Sequence, residues 1–138
     1  YLQDHTEHPS DFASLGPELT RPARGILVWL PLQLHGVAAF RAALDNSLDL
    51  AEHAHRLLEK ADWVQHTWSP DLSVVAFQFD DDERARWALE RVNRAGEVHM
   101  SSTMIGGRYT ARLAILNRLT RQAHVDQAVD SLADAYRR

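Results

Sequence analysis

The sequence predicts an α+β fold in which helices pack on one face of a small antiparallel or mixed sheet. The first observation is a pair of alternating runs on either side of Gly106-Gly107, which is the pattern of a β-hairpin. The second is a long amphipathic helix pattern from Val37 to Lys60. The third is the order of the predicted elements, which is helix, long helix, strand, strand, helix, strand, strand, helix.

The first third of the chain is predicted to be a loop followed by two helices. Residues 1–20 show no sustained periodicity and are rich in His, Asp, Pro and Ser, so we expect an extended or mobile loop. The next helix, over about residues 21–34, is apolar nearly all round and should be buried between two bodies. Pro31 is expected to kink or break it, and His35-Gly36 marks the junction with the helix from Val37 to Lys60.

The rest of the chain alternates between strands and helices. A weak strand over residues 63–67 is followed by a strong one over 72–79, which places Val75, Phe77 and Phe79 on one face. Acidic residues at 80–83 cap and start a helix over 82–95 that Gly96 closes. The last amphipathic helix covers 121–138, and we expect the strands to meet it together with Trp87, Leu89 and Val92.

The hairpin around Gly106-Gly107 defines two faces, because side chains alternate along a strand. The predicted pairs, outward from the turn, are Ile105–Arg108, Met104–Tyr109, Thr103–Thr110, Ser102–Ala111, Ser101–Arg112 and Met100–Leu113. Met104, Tyr109 and Leu113 are expected to face the core. The opposite face is small and polar around Arg112, and we expect the helices to leave it uncovered. It is either a solvated outer face or a place where an anion docks on the guanidinium.

Composition limits the class of protein. The 138 residues suit one domain, and a net charge of −4 with interleaved acids and bases favours neither nucleic acid nor an anionic membrane as a partner. The absence of cysteine excludes disulfides, zinc–thiolate sites and thiol nucleophiles. We expect no membrane-spanning segment, since no apolar run approaches the ~20 residues of a span. His5 and His8, with Asp4 and Glu7, form a weak metal motif, and a solvated polar loop is the better explanation of these residues.

Three runs resemble the C-terminal part of the pyridoxal-phosphate-dependent group II decarboxylases, the family of aromatic-L-amino-acid and glutamate decarboxylases. These runs are ELTRPARGILVWLPLQLHGVAAFRAAL, PDLSVVAFQF and VHMSSTMIGGRYTARLAILN, in that order. The resemblance implies the C-terminal small domain of a fold-type-I enzyme, preceded by a long kinked helix. Residues 1–20 would be a mobile active-site loop, 21–35 a connecting helix from the large domain, and 36–138 the small domain.

The resemblance also implies roles for individual residues. Tyr1 matches a loop tyrosine that protonates the carbanion after CO₂ leaves, and a phenol can act as such an acid at neutral pH. Phenylalanine at that position accompanies aldehyde-forming oxidative deamination in the family, so tyrosine favours simple decarboxylation. Arg112 matches an arginine that holds the substrate carboxylate, for which a bidentate guanidinium is suited. Ser101, which pairs with Arg112, would line the same face or act as a spacer.

The cofactor implied by the resemblance is pyridoxal 5′-phosphate, which forms a Schiff base with a lysine. The one lysine, Lys60, lies at the exposed end of an amphipathic helix, so the anchoring lysine is expected outside this chain. The expected partners are therefore the large-domain part of the enzyme, a second copy in a homodimer, and a small amino-acid substrate, in the cytoplasm. Two alternatives remain open, namely a stand-alone module that binds a small anion at Arg112 and a dimerisation domain that uses the helix around Trp29.

Overall fold

The computed structural model describes residues 23–138, which form two compact units divided between Val37 and Ala38. The elements in chain order are α1 (Arg24–Glu59), β1 (Val64–Thr67), β2 (Val74–Phe79), α2 (Asp82–Ala95), β3 (Ser101–Ile105), β4 (Arg108–Ala114) and α3 (Gln122–Arg137). α1 contributes residues to both units, and each unit is described by itself.

α1 contains a break at Gly36, where the predicted junction lies. Gly36 has φ 76° and ψ 156°, which is a non-helical conformation open to glycine because it has no Cβ. Pro31 was expected to kink or break the helix, and it does not break it, since the chain remains helical on both sides of Pro31. A proline inside a helix removes one backbone hydrogen bond, and here that loss does not end the helix.

The part of α1 that belongs to the first unit is apolar and uncovered among the described residues. Leu27, Trp29 and Leu34 are 72%, 59% and 69% exposed, so the expected burial between two bodies is absent in residues 23–138. By length and composition alone this helix could cross a membrane, with a mean hydropathy of 1.3 in its most apolar window. This apolar segment is therefore closer to the length of a membrane-spanning helix than we expected from the sequence. A single helix of this kind is weak evidence for a membrane span, because core helices of soluble proteins can have the same length and composition.

The second unit contains a four-stranded antiparallel sheet, which confirms the antiparallel form of the predicted α+β fold. The strand order within residues 38–138 is β1-β2-β4-β3, so β2 and β4 are central and β1 and β3 are the edges. The sheet and the helices share one core, in which Val75, Phe77 and Phe79 are at most 1% exposed. These alternate positions of β2 define the face of the sheet that the helices cover.

An aromatic cluster and one helix cap organise that core. Trp63, Phe77, Phe79 and Tyr136 have neighbouring ring centroids 5.3–6.3 Å apart. Burial of each such ring contributes on the order of 1.5–3 kcal/mol. The side chain of Asp81 accepts hydrogen bonds from the first backbone N–H groups of α2, and Gly96 ends α2 in the left-handed conformation, as the sequence predicted.

Two residues expected in the core lie on the surface instead. Trp87 is 48% exposed on the outer side of α2, where the guanidinium of Arg91 lies 5.2 Å from its ring centroid. Met104 is 52% exposed, and its sulfur contacts Nη2 of Arg86 at 3.6 Å. Alternation assigns Met104 to the helix-covered face correctly, but β3 is an edge strand and the helices do not extend over this part of it.

Candidate functional site

The hairpin of β3 and β4 has the register that the sequence predicts. Five of the six predicted pairs are present, from Ile105–Arg108 next to the turn to Ser101–Arg112 at the far end. The sixth, Met100–Leu113, is not formed, because β3 begins at Ser101. Gly106 and Gly107 have φ values of 58° and 77°, which side chains with a Cβ rarely adopt. The turn therefore fixes which residue of β3 lies beside Arg112.

Arg112 lies in a row of residues that crosses the sheet on the side away from the helices. It pairs with Ser101 of β3 on one side and with Ala76 of β2 on the other. Trp68 continues the row, because its backbone N–H donates to the carbonyl of Ala76 at 3.1 Å. We call this side of the sheet the open face. One of its two central rows contains Trp68, Ala76, Arg112 and Ser101, and the other contains Gln78 and Thr110.

The guanidinium of Arg112 is exposed and flanked by two small side chains, those of Ala76 and Ser101. Within residues 23–138 it makes no hydrogen bond, ion pair or ring contact. Most other arginines of this region have a partner, as Arg108 has in Asp82 at 3.0 Å and Arg137 in Asp62 at 3.2 Å. Arg112 is therefore a cation whose hydrogen-bond donors are available to a group from outside the described chain.

The row beside Arg112 is buried, which corrects the expectation of a wholly solvated face. Thr110 is 0% exposed and Gln78 is 9% exposed, although both alternate onto the open face. The amide nitrogen of Gln78 donates to Oγ1 of Thr110 at 3.0 Å and to the carbonyl of Ile105 at 3.1 Å. These bonds connect β2 to β4 and β3 and give the open face a rigid floor, because the buried polar atoms are satisfied.

The neighbouring arginine of β4, Arg108, has a structural role. Its guanidinium donates to a carboxylate oxygen of Asp82 at 3.0 Å and to the carbonyl of Phe79 at 2.8 Å. The other carboxylate oxygen of Asp82 accepts from the backbone N–H of Tyr109 at 2.9 Å. The backbone donor, followed by Arg108, lowers the pKa of Asp82 below its usual value of 3.8. Two arginines four residues apart on one strand thus have different environments.

The structure brings together two of the three residues for which the sequence predicted a role. Ser101 and Arg112 are direct neighbours across β3 and β4, and their binding roles remain predictions. Tyr1 lies outside the described residues, as do His5 and His8. Sequence reasoning missed Trp68 and Gln78 as members of the open face. The alternation of His66 and Trp68, whose rings are 4.3 Å apart, was the available signal for Trp68.

Two histidines of α1, His53 and His55, have protein partners in the second unit. Nε2 of His53 lies 2.6 Å from a carboxylate oxygen of Asp126 in α3, and Nδ1 of His55 lies 3.1 Å from Oγ1 of Thr67 in β1. In the described part of the chain, no three His, Cys, Asp or Glu side chains are placed to hold a metal ion. These contacts connect α1 to its neighbours within the second unit.

Known proteins resemble the chain in sequence and in fold, although no model of a known protein family matches it. It is 31% identical over 133 residues to the aromatic-L-amino-acid decarboxylase of Bacillus atrophaeus, covering 87% of this chain and 28% of that protein. It is 29% identical over 132 residues to tryptophan decarboxylase 2 of Oryza sativa subsp. japonica, covering 90% and 27%.

A solved structure of Oryza sativa TDC with PLP and tryptamine shares the fold, with a TM-score of 0.81 and 23% identity. The match covers 93% of this chain and 29% of that one. The chain spans little more than a quarter of the length of the curated relatives that it matches. Both the sequence relatives and the fold agree with the resemblance drawn from the sequence. This chain is homologous to the C-terminal part of the pyridoxal-phosphate-dependent group II decarboxylases.

Proposed function

We propose that this chain is the C-terminal part of a pyridoxal-phosphate-dependent enzyme that removes the α-carboxylate of an aromatic L-amino acid as CO₂ and releases the amine. The observation that carries this proposal is the similarity to two aromatic amino-acid decarboxylases over 87% and 90% of the chain. Residues 1–20 would be the active-site loop, 21–35 the connecting helix and 36–138 the small domain. A cytoplasmic homodimer is part of the same proposal.

No residue of this chain is suited to be the lysine that anchors the cofactor. Pyridoxal phosphate would supply an electron sink for the substrate, and a lysine of the enzyme would anchor it between turnovers. The one lysine of the sequence, Lys60, is exposed directly after the last residue of α1. Lys60 borders an open surface cleft and not an enclosed site of the kind that holds a cofactor. The cofactor would therefore be bound by the part of the enzyme outside this chain.

Arg112 would bind and orient the substrate carboxylate. Its guanidinium is exposed, has no partner within residues 23–138, and is bordered by the small side chains of Ala76 and Ser101. A guanidinium can donate two parallel hydrogen bonds to a carboxylate, which fixes the plane of that group as well as its position. The hydroxyl of Ser101 would add one donor beside it. A fixed orientation of the breaking bond is the contribution expected of these side chains.

Tyr1 would supply the proton that replaces CO₂. An unperturbed phenol has a pKa near 10, so Oη carries its proton at neutral pH and can transfer it to the carbon that has lost the carboxylate. This role rests on the family resemblance of the sequence YLQDH. It assigns the two chemical tasks of the chain to separate residues, with orientation at Arg112 and proton donation at Tyr1.

The experiment for Arg112 uses the complete enzyme, supplied with pyridoxal phosphate and assayed for amine and CO₂ from aromatic L-amino acids. We expect Arg112→Gln to lower kcat/KM by about tenfold or more, because a hydrogen-bonded charge contributes ~1.5–3 kcal/mol. The matched control is Arg94→Gln on the surface of α2, where Arg94 pairs with Glu90 of the same helix. If the two variants have the same kinetics, Arg112 lies on a solvated face and does not bind the substrate. A wild-type enzyme that forms no amine would favour the stand-alone module.

The experiment for Tyr1 measures which product is formed. We expect Tyr1→Phe to retain the cofactor and to lose most of the amine, with aldehyde and ammonia appearing in its place. The matched control is Tyr109→Phe, which removes a hydroxyl from the helix-covered side of β4. Unchanged amine formation by Tyr1→Phe would remove Tyr1 from the mechanism and leave the rest of the proposal intact.

A further inference from the structure

We infer that the edge strand β3 is a self-pairing surface, at which two copies of this chain pair antiparallel about a two-fold axis beside Thr103. The pairing joins the four-stranded sheets of the two copies into one continuous sheet. It concerns the second unit alone, residues 38–138. The inference goes beyond the proposed function, because it follows from the backbone of β3 and holds whether or not the enzyme decarboxylates amino acids.

The backbone groups of β3 that point away from the sheet belong to Ser102 and Met104. Ile105 and Arg108 flank the two-residue turn, and such a pair exchanges both of its backbone hydrogen bonds. Bonded and non-bonded pairs alternate along an antiparallel ladder, so the even-numbered residues of β3 direct their N–H and C=O groups away from β4. Within residues 23–138, no strand and no side chain bonds to these groups of Ser102 and Met104. Each of the two residues therefore offers one donor and one acceptor to a further strand.

The residue before β3 shows how such outward groups are satisfied. Met100 is two residues before Ser102 and has the same orientation, and the side-chain amide of Asn93 in α2 bonds to both of its outward groups. Nδ2 of Asn93 donates to the carbonyl of Met100 at 2.8 Å, and Oδ1 accepts from its N–H at 2.8 Å. The amide thus occupies the place of a residue in a neighbouring strand. The edge is closed at Met100 and open at Ser102 and Met104.

The other edge of the sheet is protected against further pairing, whereas β3 is not. The register of β1 shifts between Val64 and His66, and a bulge of this kind disrupts continued pairing at an edge. β3 pairs with β4 without a register shift, and its five residues include no charged residue and no proline. Natural edge strands usually carry such protective features, so their absence from β3 indicates an edge that has a partner.

One two-fold register uses both open residues. An axis beside Thr103 places Ser102 of each copy opposite Met104 of the other, and each of these pairs exchanges two backbone hydrogen bonds. An axis shifted towards the start of β3 would require Met100, whose backbone groups are already bonded. An axis shifted towards its end would require Gly106, which lies in the turn. The backbone of β3 is therefore complementary to itself in the Thr103 register.

The side chains of β3 also fit a second copy. Thr103 faces its own counterpart in this register, and Thr–Thr pairs stabilise antiparallel strands. Met104 lies beside Ser102 of the second copy and Ile105 beside Ser101, which covers part of two apolar side chains that are 52% and 41% exposed. No like charges oppose each other in the paired strands, whereas an acidic or a basic peptide would find no ion pair on β3. The occupant to which we commit is therefore a second copy of this chain.

The test captures this pairing as a disulfide in the complete enzyme. This chain contains no cysteine, so Thr103→Cys introduces one thiol into it. Directly opposed residues of a non-bonded pair have Cα atoms about 4.5 Å apart, which a disulfide spans. The matched control is Ile105→Cys, an exposed position on the same side of the same strand. In the inferred register the two copies of residue 105 lie roughly 14 Å apart along the strands, which a disulfide does not span.

Both variants are oxidised under the same mild conditions, and peptide mass spectrometry quantifies the peptide that is linked to its own copy. We expect the link at Thr103→Cys to form at least about tenfold faster than the link at Ile105→Cys. Equal rates at the two positions, or no link at residue 103, would overturn the inference.

A second pair of variants tests the backbone hydrogen bonds themselves. In the Thr103→Cys protein, Ser102→Pro removes an N–H that points away from β4, which is a change that an edge strand tolerates. Ser102→Thr keeps that N–H and is the control. We expect the proline variant to lose the link and the threonine variant to retain it, with the same far-ultraviolet circular dichroism in both. A link that persists with proline would contradict the inference, because the copies would then meet without backbone pairing.

Discussion

The carboxylate of Asp82 accepts a hydrogen bond from Nε of Arg108 at 3.0 Å, which connects the first residue of α2 to the first residue of β4. Its second oxygen accepts from the backbone N–H of Tyr109 at 2.9 Å. One side chain therefore stabilises the N-terminus of a helix and fixes the strand on which Arg112 lies. A negative group at this position also interacts favourably with the helix dipole.

The contribution of Asp82 to stability should depend on pH in the acid range. Its pKa is lowered in the folded protein, chiefly by the backbone N–H of Tyr109 and then by Arg108. The unfolded chain thus binds a proton at a higher pH than the folded one. The stabilisation is present above the ordinary value of 3.8 and is lost as pH falls through the lowered pKa. We expect wild type and Asp82→Asn to differ in urea midpoint at about pH 5 and to converge towards about pH 2.

The control for this prediction is Glu83→Gln, which neutralises the next acid in the first turn of α2. Glu83 lacks the contacts of Asp82 with Arg108 and Tyr109. The acid-dependent difference should therefore be smaller for Glu83→Gln. If both variants lose the same stability over the same pH range, the helix dipole accounts for the effect, and the contact with β4 contributes little.

Tyr136 should make the protein sensitive to alkali. Its hydroxyl donates to the carboxylate of Asp80 and accepts from the backbone N–H of Asp81 at 3.2 Å. Burial, followed by the hydrogen bond to Asp80 and the negative charge of that residue, raises the pKa of Tyr136 to about 12 from an ordinary value of 10.0. The folded protein retains this proton more tightly than the unfolded chain. The associated stability is therefore complete below pH 10 and is lost as pH rises towards 12.

Urea unfolding of Tyr136→Phe across this alkaline range checks the prediction. We expect the variant to be less stable than wild type near neutral pH by ~1–2 kcal/mol, because Asp80 loses its hydroxyl partner. The difference should narrow above pH 10. Tyr109→Phe is the matched control, since the Tyr109 hydroxyl makes no hydrogen bond within residues 23–138. A gap between wild type and Tyr136→Phe that is constant with pH would contradict the assigned cause.

Truncation of a buried and of an exposed aromatic residue should change the free energy of unfolding by different amounts. Phe77→Ala should lower the free energy of unfolding by ~3–5 kcal/mol, because Phe77 is 1% exposed and its removal leaves a cavity. Trp87→Ala should cost about 1 kcal/mol or less, since the ring is 48% exposed and its contact with Arg91 is a surface cation–π interaction. Urea unfolding measures both changes. Comparable losses would place Trp87 in the core, as the sequence pattern suggested.

Most of the fold could be predicted from short-range signals in the sequence. The pair Gly106-Gly107 specified a two-residue turn, and that turn determined the register that sets Ser101 beside Arg112. The acid run before α2 and Gly96 after it specified the limits of that helix. Each of these signals acts over a few neighbouring residues. Such signals remain visible in the sequence because no distant partner is needed to express them.

The errors arose where distant residues decide. Alternation assigned Met104 to the helix-covered face, but only the position of β3 at the sheet edge exposed it. Helical periodicity did not show that Trp87 faces outward, because that depends on how α2 rotates against the sheet. Pro31 was predicted to kink or break α1, but the helix continues through it to the predicted junction at Gly36. Burial is a property of neighbours in space, and neighbours along the chain record it imperfectly.

The sequence by itself determined the α+β class, the hairpin register, the caps of α2 and the relation to the group II decarboxylases. It also placed Arg112 on a face of small residues, because strand periodicity depends on local geometry alone. The tertiary structure decided that Gln78 and Thr110 form a buried floor beside Arg112 and that Trp68 lies in the same row as Arg112. It also decided that Arg108 pairs with Asp82, while Arg112 has no partner among the described residues. These facts depend on the order β1-β2-β4-β3, which brings residues far apart in the chain onto adjacent strands.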